Sequence, residues 1–232
     1  MRYSDFKNYA DKGTLVPVYR ELSADTLTPV NAFLRLRRDD GASFLFESVE
    51  GGERIGRYSF LGGDPFLTLS AVGETTSIRK ATGEEEALSG DFFEILQNTI
   101  DAYVTVPVAG LPPLTGGAVG YLAYDGIRLM EDIPESATDD LGLDDMVFAL
   151  YETVIAFDNL RHTILVIANA RVTDGQSVDE AYADARQRID ELEELLGRPI
   201  TLPSLGADGD MGAIRSNMPR AHYVEAIERC LE

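Results

Sequence analysis

"FLFESVEGGERIGRYSFLGGDPF", Phe44 to Phe66, sets an apolar strand against an acidic, glycine-rich turn and brings a second strand back through Arg57, Tyr58 and Ser59. Alternation along the first strand puts Phe44, Phe46 and Ser48 on one face and Leu45, Glu47 and Val49 on the other. A small hydroxyl following two aromatic rings suits a ligand with an apolar body and a polar head. The plainer reading, favoured on spacing alone, is a turn cap: Ser48 closes the turn and Glu47 pairs with Arg54 or Arg57.

Outward from this hairpin the chain is mixed, with strands in the majority. "TLVPVYREL" reads as a first strand interrupted by Pro17, and Thr28-Pro29 as an N-cap and first helical position opening "PVNAFLRLR". "FLTLSAV" and "TTSIRKATGEE" continue the run of short strands joined by glycine turns. In "GDFFEILQNTIDAYV", Phe93, Leu96, Ile100 and Tyr103 recur at helical spacing. "TGGAVGYLAYD" has the small residues of a strand approached closely by another backbone.

"MVFALYETVIAFD" and "RHTILVIANARV" read as one long hairpin turning at Asn159-Leu160, apolar enough to be buried on both faces. Ser177 and Glu180 form a capping box for a helix whose stripe is Val178, Tyr182, Ala185, Ile189, Leu192 and Leu196. "PSLGADGDMG" is linker-like, and "PRAHYVEAIERCLE" opens another helix, read as the threshold of something larger. Clustered strands with helices set apart predict an α+β fold, antiparallel sheets packed on each other with helices outside.

The 232 residues carry 40 acidic and 20 basic side chains, a formal net charge of −20. That field repels phosphate backbones and anionic membranes, so neither nucleic acid nor a membrane is expected as a partner. No apolar run approaches the roughly 20 residues that span a bilayer, and the N-terminus lacks a signal peptide's apolar stretch. A single cysteine, Cys230, offers no disulfide framework, which makes a cytoplasmic location the expectation. Lysine occurs only at Lys7, Lys12 and Lys80, and an acid-rich, lysine-poor surface suits a salty cytoplasm.

Residue types alone give no catalytic set. His162 and His222 read as surface histidines without metal-ligand spacing. Gly116, Gly117 and Gly120 lack the lysine and hydroxyl of a phosphate loop and read as packing or turn glycines. The pairs Asp139-Asp140 and Asp144-Asp145 lack a calcium loop's glycine and terminal glutamate and read as a solvated run. Cys230 is expected to face a core.

The hairpin changes meaning by resemblance. "FLFESVEGGERIGRYSFLGGDP" resembles the N-terminal signature of anthranilate synthase component I, a chorismate-utilising family. "LVPVYREL", "ADTLTPVNAFLRL", "GGAVGYLAYDGIRLMEDIP" and "SNMPRAHYVEAIERCLE" resemble further segments of it, in order. Aminodeoxychorismate synthase component I shares the architecture, but the intact "ESVEGGERIGRYSFLG" is more similar to the anthranilate branch. A stand-alone amino-acid-binding module is the reading from another class.

The resemblance implies a regulatory, tryptophan-binding domain over residues 1–204, then a linker and the first helix of a chorismate-binding catalytic domain over 205–232. It implies L-tryptophan as feedback inhibitor, held at Leu45, Phe46, Glu47 and Ser48, with Arg57 and Tyr58 on the returning strand. Phe46 stands where the family usually has leucine, and Pro219 where it often has a capping threonine. The full enzyme would convert chorismate and ammonia to anthranilate and pyruvate. It would use Mg2+, and a glutamine amidotransferase subunit would supply the ammonia. The chorismate and magnesium sites are expected beyond residue 232, so no catalytic or metal residue is assigned here and the chain alone is expected to be inactive.

Overall fold

Each of the longer helices among the first 200 residues starts where a side chain can accept from its first free amides. Thr28 Oγ1 takes the Asn31 N–H at 3.2 Å, Asp91 Oδ1 the Phe93 N–H at 2.7 Å and Ser177 Oγ the Glu180 N–H at 3.2 Å. Glu180 returns the bond to the Ser177 N–H at 2.9 Å, completing the expected capping box. The computed structural model describes residues 1–38, 41–47, 56–134, 139–172, 175–200 and 216–231.

The chain opens with α1 (Tyr3–Lys7), β1 (Leu15–Ser23), α2 (Pro29–Leu36), β2 (Phe44–Phe46) and β3 (Tyr58–Gly62). β4 (Leu67–Val72), β5 (Thr75–Lys80), β6 (Glu85–Ser89), α3 (Phe92–Asp101) and β7 (Gly117–Leu122) follow. After a short 3-10 helix at Tyr124–Leu129 come β8 (Met146–Tyr151), β9 (Thr153–Asp158), β10 (Thr163–Arg171), α4 (Val178–Leu196) and α5 (Arg220–Leu231).

The strands form two antiparallel five-stranded sheets, ordered β1-β10-β9-β3-β2 and β6-β5-β4-β8-β7. The α+β expectation therefore holds. Pro17 sits in β1 at an edge of the first sheet, where a missing N–H is tolerated. One face of that sheet buries Val16, Val18, Leu61, Ile155 and Val166 under α2 and α4, which contribute Leu36, Ala185 and Ile189. α3 covers one face of the second sheet through Phe92 against Leu69, Met146 and Leu150. The sheets meet where Phe44 and Val154 of the first pack with Ala149 and Tyr151 of the second.

The close backbone approach expected in "TGGAVGYLAYD" is present: a Cβ on Gly120 would run into the Val147 carbonyl of β8.

Three expectations are corrected. The run Met146–Asp158 is not one strand but two, β8 in the second sheet and β9 in the first, with the corner at Glu152. Apolar character marks burial and says nothing of which sheet receives the side chain. The inner face of α3 is turned from the expected stripe: Phe92 is buried, while Phe93 and Ile100 are exposed and Ile95, Leu96 and Tyr103 are partly covered. Adjacent phenylalanines at the helix start made the phase ambiguous. Cys230, expected in a core, is exposed.

Two of the described acidic residues before β8 serve the backbone. Asp139 Oδ1 accepts from the Leu141 and Gly142 N–H groups, and Asp145 Oδ2 from Gly73 N–H at 2.8 Å.

The chain divides into two compact units, Met1–Ile200 and Thr201–Glu232. The first holds both sheets and α1 to α4. Of the second, residues 216–231 are described: α5 with Pro219 just before it, whose carbonyl accepts the Tyr223 N–H at 3.2 Å. "PSLGADGDMG" lies outside the described residues.

Candidate functional site

β2 is the last strand of its sheet and only three residues long. Its one neighbour among the described residues is β3, in the register Phe44↔Gly62, Leu45↔Leu61 and Phe46↔Phe60. Gly62 makes room for the Phe44 ring, which a Cβ there would strike. Alternation then distributes the candidate residues as the pleat demands. Leu45 turns toward the core beneath α2 and α4. Phe46 takes the opposite face beside Phe44, ring centroids 5.1 Å apart, and is 52% exposed. Glu47 follows, exposed. Ser48 lies outside the described residues, as do Val49 and Arg54.

The face that carries Phe46 is aromatic. Tyr58 and Phe60 of β3 lie 5.8 Å apart, and Phe44 meets Tyr151 edge-on at 4.9 Å. Burial pushes the Tyr151 phenol up to about 12. A flat apolar body fits such a wall through offset or edge contacts. Glu47 stands exposed just past the strand's end, and among the described residues the outer edge of β2 faces no other strand.

Arg57 does not pair with Glu47. Its guanidinium grips Asp158 at the end of β9, Nη2 to Oδ2 at 2.6 Å and Nε to both oxygens at 3.2 Å. It also lies over the Tyr58 ring, 4.8 Å from the centroid. Asp158 is 3% exposed and accepts the N–H groups of Leu160 and Arg161 as well, each at 3.1 Å. Burial opposes its ionisation, but the Arg57 and backbone hydrogen bonds prevail and hold the carboxyl below its ordinary value. Sequence reasoning missed Asp158 and Asn159 as neighbours of the hairpin. Their signal was the Asp-Asn pair at the predicted turn, but the partner stands 101 residues away.

Two clefts elsewhere in the described residues contain none of the expected site residues. One of about 360 Å³ is lined by Arg38, Asp64, Glu152, Arg188, Glu191 and Arg198 among others, and its arginines are engaged with neighbouring acids. The other, about 640 Å³, lies by Glu74, Asp91, Phe93 and Met130. No three histidine, cysteine or acidic side chains converge as a metal would need among the described residues. The magnesium that the resemblance implies has no ligand set among the described residues. Nor is any described helix long and apolar enough to cross a membrane.

Comparison with known proteins agrees with the hairpin's resemblance. Anthranilate synthase component 1 of Mycolicibacterium smegmatis is 40% identical over 228 residues, 97% of this chain and 43% of that protein. The Acinetobacter calcoaceticus protein of the same name is 39% identical over 195 residues, 81% of this chain and 38% of its own length. The chain thus spans less than half the length of these curated relatives. A crystal structure of anthranilate synthase component I from Streptococcus pneumoniae TIGR4 aligns with a TM-score of 0.48 at 26% identity, covering 74% of this chain and 36% of that one. The family described as chorismate binding enzyme matches residues 41–232, which takes in the Phe44–Phe66 hairpin and parts of both compact units. The chain belongs to the chorismate-binding enzyme family.

Proposed function

We propose that this chain is the N-terminal, regulatory part of an anthranilate synthase component I. The complete enzyme is a lyase of tryptophan biosynthesis that converts chorismate and ammonia to anthranilate and pyruvate. The observation that carries the reading is the 40% identity to a protein of that name along 97% of the chain. In this reading L-tryptophan is the feedback inhibitor. Its indole lies along the aromatic face of β2 and β3, and Glu47 and Ser48 meet the head group. An ammonium leaving water needs a charged or hydrogen-bonding partner, and in this reading Glu47, exposed just past the end of β2, is that partner.

The exposed Phe46 ring beside Phe44 supports the assignment of that face. Magnesium, a glutamine amidotransferase subunit that delivers ammonia, and a cytoplasmic location belong to the same reading. Magnesium would serve as Lewis acid and template for chorismate. Nothing among the described residues of this chain is assigned to it.

The test is anthranilate fluorescence. The complete enzyme, given chorismate and ammonia, should form anthranilate and slow as tryptophan is added, and the 232-residue chain alone should form none. Ser48→Phe should move the inhibition curve to higher tryptophan, each variant being referred to its own uninhibited rate. Superimposable curves would reduce Ser48 to a turn cap, and product from the isolated chain would overturn the regulatory assignment.

A further inference from the structure

β2 is anchored by Phe44, packed against Tyr151, and by Leu45 in the core beneath α2 and α4, but its backbone has little to hold it. Among the described residues it is three residues long, pairs with β3 alone, and leaves Phe46 half exposed. Its position follows that of β3, and the start of β3 is held by the turn between β9 and β10. Arg57 gives Asp158 both a Nη2 and a Nε donor. Asn159 adds three bonds from the same turn. Its N–H donates to the Arg57 carbonyl at 2.8 Å, and its Nδ2 to the Gly56 carbonyl at 3.2 Å and to Ser59 Oγ at 3.3 Å. Ser59 and Asp158 are both buried, which shields their ends of these bonds from water, while Asn159 and its bond to the Gly56 carbonyl are exposed.

Asp158 is in turn fixed by its own turn, through the Leu160 and Arg161 amides. His162 closes that turn in the left-handed region, φ 54°. A rigid turn on the central hairpin therefore clamps the chain where it enters the edge hairpin.

We infer that Asp158 and Asn159 are positioning residues for the inhibitor strand: their latch on Gly56, Arg57 and Ser59 sets where β3 begins and hence where β2 presents Phe46 and Glu47. Arg57 belongs to this latch rather than to the surface that touches the ligand, because its guanidinium is already turned to Asp158. The inference rests on reading β2 as the tryptophan strand, and it deepens that reading by moving part of the control of inhibition to a turn about 100 residues away in sequence.

The experiment uses the complete enzyme with Asp158→Asn and Asn159→Ala. Asp158→Asn keeps the size of the side chain and one acceptor oxygen but loses the charge that Arg57 grips. Asn159→Ala keeps the backbone bond to Arg57 and removes the ties to Gly56 and Ser59. Two measurements are made on each. Amide exchange of the peptides containing Phe44–Phe46 and Tyr58–Gly62, without tryptophan, reports whether the latch holds the edge. The tryptophan concentration giving half inhibition, beside kcat and KM for chorismate, reports whether that matters for regulation.

Loss of one charge-assisted arm should raise the half-inhibitory concentration about tenfold in Asp158→Asn, with a smaller rise in Asn159→Ala. Exchange in both peptides should quicken, while kcat and KM stay within about twofold of wild type, less than an effect of ~0.4 kcal/mol. Unchanged exchange would overturn the inference whatever tryptophan does. So would faster exchange with an unmoved inhibition curve, or a loss of turnover in step with the loss of inhibition, which a merely structural role would give. A wild-type enzyme indifferent to tryptophan would instead sink the inhibitor reading on which the inference stands, and it would do so before any variant is made.

Discussion

Replacing Glu152 by alanine tests the corner at which the chain leaves one sheet and enters the other. Its carboxylate, 16% exposed, accepts from Arg171 of β10 and from Arg188 of α4, the latter at 2.5 Å. Glu152→Ala leaves the backbone bonds of the corner in place, since Asn169 N–H and Nδ2 both donate to the Glu152 carbonyl, at 2.8 and 3.1 Å. The substitution therefore isolates the carboxylate. Breaking a fully buried pair costs roughly 3–5 kcal/mol, and breaking an exposed one roughly 0.2–1. Here the stranded arginines are 38% and 27% exposed, and both keep other partners. Arg188 still donates to the Asn169 carbonyl at 2.8 Å, and Arg171 still lies over the Phe66 ring at 4.8 Å.

Partial rehydration places the expected loss between those limits, at about 1.5–3 kcal/mol. For a domain of this size that is a fall in Tm of roughly 3–12 °C. Thermal unfolding followed by circular dichroism, at 0.15 M and 1 M potassium chloride, is the assay. Because the carboxylate is mostly covered, at least about half of the deficit should persist at the higher salt. A change below about 0.5 kcal/mol, or a deficit that vanishes at 1 M, would make the corner an ordinary surface ion pair and refute the argument.

Two further outcomes are expected. The Tyr151 phenol, held near 12 by burial against an unfolded value near 10, lends stability that is complete below pH 10 and drains away as pH rises from there toward 12. An alkaline titration of phenolate absorbance should show a late component near pH 12 that Tyr151→Phe abolishes; the same titration curve in both proteins would contradict the burial. The formal charge of −20 predicts a thermal midpoint that climbs between low and molar potassium chloride as self-repulsion is screened, and a flat midpoint would remove that argument.

What the sequence disclosed was local. The Ser177–Glu180 capping box, Thr28 before Pro29, and the β9–β10 turn at Asn159 are decided within a few residues, and each stands where its pattern put it. The stripe of α4 was legible because a 19-residue helix repeats its phase often enough to fix it. α3 is half that length and begins with two phenylalanines, so its phase was open. Glu152 was invisible as a corner for a different reason. A strand crossing from one sheet to the other is buried on both sides of the bend, and apolar runs do not record where the pairing partner changes.

The candidate site divides along the same line. Alternation placed Phe46 on one face and Leu45 and Glu47 on the other, and the pleat of β2 keeps Phe46 beside Phe44 and sends Leu45 to the opposite core. It could not show that Arg57 would be claimed by Asp158, since nothing local couples residues 101 apart until β3 and β9 pair. Nor could it show how short β2 is. That shortness bears on the proposed inhibitor reading. A long, fully paired strand would resist displacement by a small ligand, because elements that respond to ligands come from the less stable end of a fold. A three-residue edge strand with a half-exposed ring suits that end, and in the inference above the Arg57–Asp158 latch helps to position it. If tryptophan acts on this edge, it acts on an element whose freedom is set by a turn it does not touch.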